Sequence, residues 1–441
     1  MTTIMRRLAL LLTLLGGSSA CSSEASPGTS SGAGGASTAA ASGSVGGNTS
    51  GFTGAGASDG LGGATAGSVG GSGGVSTGGS GQGVSTGSSA GAGASAGQGG
   101  ATSGGPSTGG VGAGGGGAPV PPPYMLGADV SFIQEEEDRG TFFTDGGTQK
   151  DIFELLQDRG FNYIRLRLFH TPGNPGGYQY EFATRAEPYC DQAHTIEMAG
   201  RVKAAGMRLL LDFHFSDTWA DPDDQHKPAA WEGLTFQDLV TAVHDYTRDT
   251  LLAFDAAGAL PDMVQIGNEI TPGMLLPDGA TYDPDNWDQL AELLKAGLSA
   301  VEEVDDRILT MLHIDRGGDN ETSVWWVDQA LARGVSFDVL GQSAYSAFHG
   351  GPADWEANLA DLATRYPNLF FVIAEYNGDK RAVNDIVRGL PGGRGVGTFF
   401  WEPTASGEWG SAMFTRSGNE ARAVTSDFAI YDQIADDYGL R

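Results

Sequence analysis

The chain has 441 residues and a formal net charge of −29. Such an acidic surface repels phosphate backbones, so we expect no nucleic-acid partner, whereas a neutral substrate such as a sugar polymer is compatible with it. Acidity that only keeps the protein soluble explains the charge equally well.

The first residues form a targeting segment. Arg6 and Arg7 precede an apolar run at residues 8–15, which is too short to span a bilayer and fits the core of a secretory signal. Small residues follow and end at Cys21, an arrangement similar to a bacterial lipoprotein signal, although Ser18 replaces the usual Leu or Val. We predict a lipoprotein-type signal over residues 1–21, and an ordinary cleaved signal peptide is the alternative.

A lipid on Cys21 would fix both the location and the cysteine chemistry. It would make the protein a secreted or cell-surface, outer-membrane lipoprotein of a bacterium, attached to the membrane through that lipid alone. Cys190 would then have no partner, and no disulfide framework would exist.

Residues 22–118 consist almost wholly of Gly, Ser, Ala and Thr and hold 37 of the 71 glycines. Such a segment cannot bury enough apolar surface to offset the entropy of ordering its backbone, so we predict a disordered linker. The remaining residues, 119–441, suffice for one large catalytic domain, which we expect to be monomeric.

Eight β-rich segments recur in this domain, and most are followed by helical patterns. Alternation of strand and helix eight times predicts a (β/α)8 barrel of the TIM type. Helical periodicity is clear at residues 151–160, 290–304 and 355–366. The predicted strands lie at residues 127–132, 163–169, 208–215, 263–269, 307–315, 337–345, 369–376 and 396–403.

Several of these apolar strands end in a polar or aromatic residue. Barrel enzymes keep their catalytic groups at the carboxyl ends of the strands, and six such residues make chance a poor explanation. The six are His214, Glu269, Asp315, Tyr345, Glu375 and Trp401.

Glu269 and Glu375 close the fourth and seventh predicted strands, which lie across a barrel from each other. Partial burial and mutual repulsion would raise one pKa and leave one acid and one nucleophile, the pair that retaining glycoside hydrolysis requires. We predict Glu269 as acid/base and Glu375 as nucleophile, with Asn268 bonded to the sugar 2-hydroxyl. Structural carboxylates, and a turn role for Asn268, are the alternatives.

Longer motifs carry a family resemblance that covers the chain from residue 127 to about residue 440. GADVSFIQEEE, IRLRLF, LLLDFHFSDTWADPDDQHKPAAW, VQIGNEITPGMLLPDG and FDVLGQSAY together resemble glycoside hydrolase family 53. That family comprises endo-β-1,4-galactanases acting on arabinogalactan type I. The resemblance implies an endo-hydrolase of β-1,4-galactan that uses Glu269 and Glu375.

The resemblance also suggests residues that line the substrate site. Arg165 and Arg167 share one face of the second strand, and we expect only one of them to contact the nucleophile, the other forming a structural ion pair. For His214 and for the tryptophans, the alternative is a structural role in the buried core. The predicted substrate-binding residues are Arg165, Arg167, His214, Asp217, Trp219, Asn268, Asp315, Tyr345 and Trp401.

We expect no cofactor and no metal. Bacterial members of the family can carry calcium in a longer loop than the one around residues 408–410, and the acidic cluster Asp221, Asp223 and Asp224 is more typical of a solvated loop than of a calcium site. Two other functions stay open: a retaining β-glycanase with a different polysaccharide substrate, and a surface-tethered protein that binds glycans without turnover.

Overall fold

The structure is a computed structural model that describes residues 120–181, 185–404 and 413–441. The predicted signal, the predicted linker and the loop at residues 405–412 lie outside the described residues. The domain boundaries at residues 21 and 118 therefore stay predictions.

Eight parallel strands close into a barrel in which each strand pairs with its neighbours along the chain and the first pairs with the last. All eight predicted strands and the (β/α)8 architecture are confirmed. The strands are β1 (Met125–Asp129), β2 (Tyr163–Leu168), β3 (Arg208–Phe213), β4 (Met263–Ile266), β5 (Leu309–Ile314), β6 (Val339–Ser343), β7 (Phe370–Tyr376) and β8 (Gly395–Trp401).

Nine α-helices lie among the described residues, and the three helices that periodicity predicted most clearly are confirmed. Several begin at a side chain that accepts a hydrogen bond from the first turn, as Asp191, Thr235 and Asp319 do. The helices are α1 (Ile133–Asp138), α2 (Ile152–Asp158), α3 (Gln192–Ala204), α4 (Phe236–Ala256), α5 (Trp287–Val304), α6 (Asn320–Ala332), α7 (Pro352–Arg365), α8 (Lys380–Arg388) and α9 (Thr425–Tyr438).

Two apolar layers follow from the alternation of side chains along the strands. Ile164, Leu166 and Leu168 of β2 pack in the outer layer beneath the helices, whereas Tyr163 packs inside the barrel. Arg165 and Arg167 share the inward parity of Tyr163 and are both buried. Period-two alternation therefore directs two cations into the barrel at its carboxyl end.

Two small sheets decorate the barrel. A four-stranded sheet joins Phe142–Asp145 and Thr148–Lys150, after β1, to Phe414–Ser417 and Glu420–Ala423, after β8. A two-stranded sheet forms after β4 from Gly273–Met274 and Gly279–Ala280. Within the described residues, no helix is long and apolar enough to cross a membrane.

Candidate active site

Arg165 lies at the centre of the carboxyl end of the barrel. Its side chain is 1% exposed and donates to Asp129, Asp212 and Glu375 at 2.8–2.9 Å and to Asn268 at 2.8 Å. Burial alone would lower the pKa of Arg165, but the charges of Asp212, Glu375 and Asp129 raise it, so the guanidinium is a permanent cation. Side chains from β1, β3 and β7 and from the loop after β4 are thereby held around one planar donor.

Glu375, near the end of β7, is the carboxylate that this cation supports. Oε1 accepts a hydrogen bond from Arg165 Nη1 at 2.8 Å, and Oε2 accepts one from the Tyr345 hydroxyl at 2.9 Å. Burial raises the pKa of Glu375, and the Arg165 guanidinium opposes that shift. Two donors on a buried carboxylate favour its ionised form.

Glu269 has different surroundings. It follows β4 in a left-handed backbone conformation, with φ of 48°, and its Oε1 lies 2.6 Å from the Ser343 hydroxyl oxygen. Burial, followed by the charges of Glu375 and Asp315, raises the pKa of Glu269 well above its ordinary value. With neighbouring carboxylates and, among the residues that the structure describes, no cation paired to it, Glu269 is the member of the pair that retains a proton.

The phenol of Tyr345, after β6, is affected by the charges of both glutamates. Burial and the charges of Glu375 and Glu269 raise its phenol pKa well above the ordinary value. The phenol therefore remains protonated and can donate to Glu375 throughout the neutral pH range.

Asn268 has its amide orientation fixed by two partners. Its Nδ2 donates to the Ala220 carbonyl at 2.8 Å, and its Oδ1 accepts from Arg165 Nη2 at 2.8 Å. The structure thus brings four predicted residues, Arg165, Asn268, Tyr345 and Glu375, into one hydrogen-bonded group beside Glu269.

Arg167, by contrast, does not reach the nucleophile candidate. Its Nη1 donates to Glu402 at 2.6 Å, and its guanidinium lies between Phe132 and Trp219, 4.3 and 4.5 Å from the ring centroids. Burial raises the pKa of Glu402 well above its ordinary value, and the charge of Arg167 opposes this. Of the two arginines, Arg165 is the one that contacts Glu375. Arg167 forms a buried ion pair with Glu402, and its Nη1 also lies 3.8 Å from Asp129 Oδ1.

The side chains of His214 and Asp217 contact and hydrogen-bond other groups of the protein. His214 Nε2 lies 3.0 Å from Asp212, and its Nδ1 accepts from the Ala220 amide at 3.0 Å. Asp217 accepts from the Thr171 and Ala229 amides and from Asn174, at 2.9–3.0 Å. These hydrogen bonds hold loops beside the site and do not bring Asp217 to either glutamate.

The other predicted site residues surround this group. Asp315 is 5% exposed, and its charge contributes to the raised pKa of Glu269. Trp401 ends β8 and packs edge-on against Phe132 at 6.1 Å, while the indole of Trp219 donates to Glu181 at 3.1 Å. Both tryptophans are partly exposed and offer flat apolar faces of the kind that pack against sugar rings.

Sequence reasoning missed several polar residues of the site. Gln265, His313 and Ser343 are fully buried and connect Asn268 to Glu269, and Asp129 and Asp212 pair with Arg165. The signal that could have found them is a lone polar residue inside an apolar barrel strand, because such a residue needs polar partners in the barrel interior.

Across residues 120–181, 185–404 and 413–441, no group of three or more His, Cys, Asp or Glu side chains is arranged as a metal site. In the acidic cluster, Asp221 Oδ1 accepts the backbone amides of Asp223 and Asp224, which closes a turn. Burial raises the pKa of the Cys190 thiol to about 12, so it is not a ready nucleophile.

A (β/α)8 barrel with a partly buried glutamate after β4 and a buried glutamate near the end of β7, in different charge surroundings, defines a glycoside hydrolase. Residues 125–381 match Glycosyl hydrolase family 53, which is more than half of the chain. The chain therefore belongs to that family.

The chain is similar to an uncharacterized protein and to two proteins described as galactanases. A protein from Niallia circulans, named for its place in the bgaB 5′ region, is 39% identical over 337 residues, covering 67% of this chain and 88% of the relative. The arabinogalactan endo-beta-1,4-galactanase of Cellvibrio japonicus is 37% identical over 230 residues, covering 51% of this chain and 57% of that enzyme. A solved fungal beta-1,4-galactanase is 27% identical with a TM-score of 0.62, covering 70% of this chain and 99% of the fungal one.

Proposed function

We propose that the protein is a retaining endo-hydrolase of β-1,4-galactan, with Glu375 as nucleophile and Glu269 as acid/base. The observation that carries this proposal is the unequal setting of the two glutamates. Glu375 accepts hydrogen bonds from Arg165 and Tyr345, whereas burial and then the charges of Glu375 and Asp315 raise the pKa of Glu269 well above its ordinary value. The substrate class follows from the galactanases among the relatives.

The chemistry proceeds in two displacements. In the first, the Glu375 carboxylate attacks the anomeric carbon while Glu269 gives its proton to the glycosidic oxygen, and the bond to the leaving sugar breaks. In the second, Glu269 removes a proton from water, the water oxygen attacks the anomeric carbon, and the ester to Glu375 breaks. Two inversions at one carbon give net retention.

The surrounding residues prepare these steps. Arg165 and Tyr345 keep Glu375 ionised and fix its orientation, so little reorganisation is needed when it attacks. The polar groups of Asn268 and Asp315 and the faces of Trp219 and Trp401 are proposed to bind sugar hydroxyls and ring faces.

Substrate and mechanism can be tested together. We expect the full chain to release reducing ends from unbranched β-1,4-galactan in steps longer than one sugar, and to release few from xylan or mannan. A 2-deoxy-2-fluoro-β-galactobioside with a good leaving group should label Glu375, which mass spectrometry of the peptides would show. Faster release from xylan or mannan, or labelling elsewhere, would contradict the proposal.

The location is part of the same proposal. Arg6, Arg7, the apolar residues 8–15 and Cys21 support export and lipid attachment, and we propose a monomeric enzyme at the bacterial surface. In cells fed a labelled fatty acid, the full chain should take up label and Cys21→Ser should not. A Cys21→Ser chain that is labelled equally would show that the lipid is attached at another residue.

A further inference from the structure

A chain of hydrogen bonds runs from Glu269 into the barrel. Glu269 Oε1 lies 2.6 Å from Ser343 Oγ, Ser343 Oγ lies 3.0 Å from His313 Nε2, and His313 Nδ1 lies 2.9 Å from Asn268 Oδ1. Ser343 and His313 are fully buried, so these polar atoms depend on one another for partners.

The far end of this chain sets the tautomer of His313. Asn268 Oδ1 is an acceptor, because the same amide donates from Nδ2 to the Ala220 carbonyl while Oδ1 faces Arg165. His313 Nδ1 must therefore carry a proton to make the 2.9 Å contact favourable. The amide nitrogen of Gln265 is more distant, at 3.3 Å, and already donates to the Gly267 carbonyl.

The imidazole carries only this one proton. Burial and the charge of Arg165 lower the pKa of His313 well below its ordinary value, and Asp212 opposes them. The charged and titratable groups that face His313 and Glu269 from the neighbouring strands and loops are Arg165, Asp212, His214, Asp221, Asp315, Tyr345, His349 and Glu375.

Counting donors along the chain then places the next protons. A neutral His313 with its proton on Nδ1 has a bare Nε2, which accepts the Ser343 hydroxyl proton. Ser343 has no second proton, so its oxygen can only accept at the 2.6 Å contact with Glu269. That contact is favourable only when Glu269 is the donor, which means a protonated carboxyl group.

We propose that Ser343 and His313 are positioning residues that hold the proton on Glu269 until the leaving group takes it. This rests on the proposed function, because it assigns a purpose to the acid role of Glu269. When that proton moves to the glycosidic oxygen, the new carboxylate faces a serine oxygen whose proton points to His313. Taking a proton from water in the second step restores the original hydrogen bonds. This relay of Glu269, Ser343, His313 and Asn268 therefore keeps the acid protonated before the first step and favours its reprotonation in the second.

The relay predicts the sign of a pH effect. Since the acid must be protonated, kcat/KM falls as pH rises through the pKa of Glu269. Ser343→Ala removes the acceptor of the protonated form, so the alkaline limb should move to lower pH, by about one unit. A serine that simply donated to the carboxylate would give the opposite movement, and a limb that moves up or stays in place overturns the relay.

Matched variants separate this effect from general damage. Ser323 of α6 is equally buried, but its hydroxyl donates to the carbonyls of Arg316 and Asp319, so Ser323→Ala should leave the limb in place. Ser343→Thr keeps the hydroxyl, so its alkaline limb should lie close to that of the unchanged protein. A shift of equal size in Ser323→Ala would count against the proposal.

A measurement without turnover keeps the relay testable on the unchanged protein. Nitrogen-15 NMR of the full chain, with the His313 signals assigned by their loss in His313→Asn, reads which ring nitrogen carries the proton. We expect a neutral ring with the proton on Nδ1, and a proton on Nε2 would overturn the relay. If the protein hydrolyses galactan but the proton lies on Nε2, the relay is contradicted and the proposed function stands. If the proton lies on Nδ1 but galactan is not hydrolysed, the proposed function is contradicted.

Discussion

Glu375 and Glu269 are carboxylates at the same barrel mouth, but their neighbours differ in charge. Glu375 accepts hydrogen bonds from a guanidinium and a phenol, whereas Glu269 faces Glu375 and Asp315 and has Ser343 at hydrogen-bond distance. The partners of each carboxylate, more than burial itself, therefore decide which of the two glutamates gives a proton and which attacks.

The largest expected effects come from removing each carboxylate in turn. Glu375→Gln should lower kcat on galactan by about 10⁴-fold or more, because no nucleophile remains. Glu269→Gln should lower it by about 10²–10⁴-fold on galactan. With an aryl galactobioside whose leaving group needs no proton, only Glu269→Gln should recover the burst of aryl alcohol release, measured by stopped-flow absorbance. Recovery in Glu375→Gln instead would reverse the assignment.

The two arginines of β2 extend the comparison. Arg165→Lys should lower kcat by about 10²-fold, because a lysine cannot hold three carboxylates and an amide in one plane. Arg167→Lys is the matched variant, and it should cost less in kcat because Arg167 pairs with Glu402 and not with Glu375. Equal losses in steady-state kinetics on galactan would mean that contact with Glu375 is not what matters.

Tyr345→Phe removes one donor from Glu375 and leaves the ring. The loss of a hydrogen bond to a charged group should lower kcat by about tenfold. It should also raise the pKa of Glu375, so the acidic limb of the kcat/KM profile should move to higher pH. An acidic limb that stays in place would show that the Tyr345 hydroxyl does not stabilise the ionised nucleophile.

The sequence predicted the barrel, its eight strands and the positions of Glu269 and Glu375, because strand periodicity and strand-end residues are local signals. It could not choose between Arg165 and Arg167, since both have the same strand parity and only the folded loops show that Glu402 pairs with Arg167. It also missed Ser343 and His313. Their hydrogen bond joins residues 30 positions apart on two neighbouring strands, and no local pattern contains that pairing.

The effect on stability should have opposite signs for the two glutamates. The folded pKa of Glu269 is raised, so between the unfolded value near 4.3 and the folded value the native state binds more protons and stability falls as pH rises. Glu269→Gln removes that cost, about 1.4 kcal/mol for each tenfold change in proton affinity, and its amide can donate to Ser343 as the acid does.

Glu375→Gln should instead lower the free energy of unfolding by about 1–3 kcal/mol, because Arg165 remains buried and loses one of three carboxylate partners. Thermal unfolding at about pH 4 and pH 8 checks both signs. The melting temperature of Glu269→Gln should match that of the unchanged protein at the lower pH and exceed it at the higher pH, while Glu375→Gln should melt lower at pH 8. If both variants melted lower than the unchanged protein at pH 8, the ionised form of Glu269 would not be unfavourable in the folded state. Both carboxylates would then stabilise the folded protein at that pH.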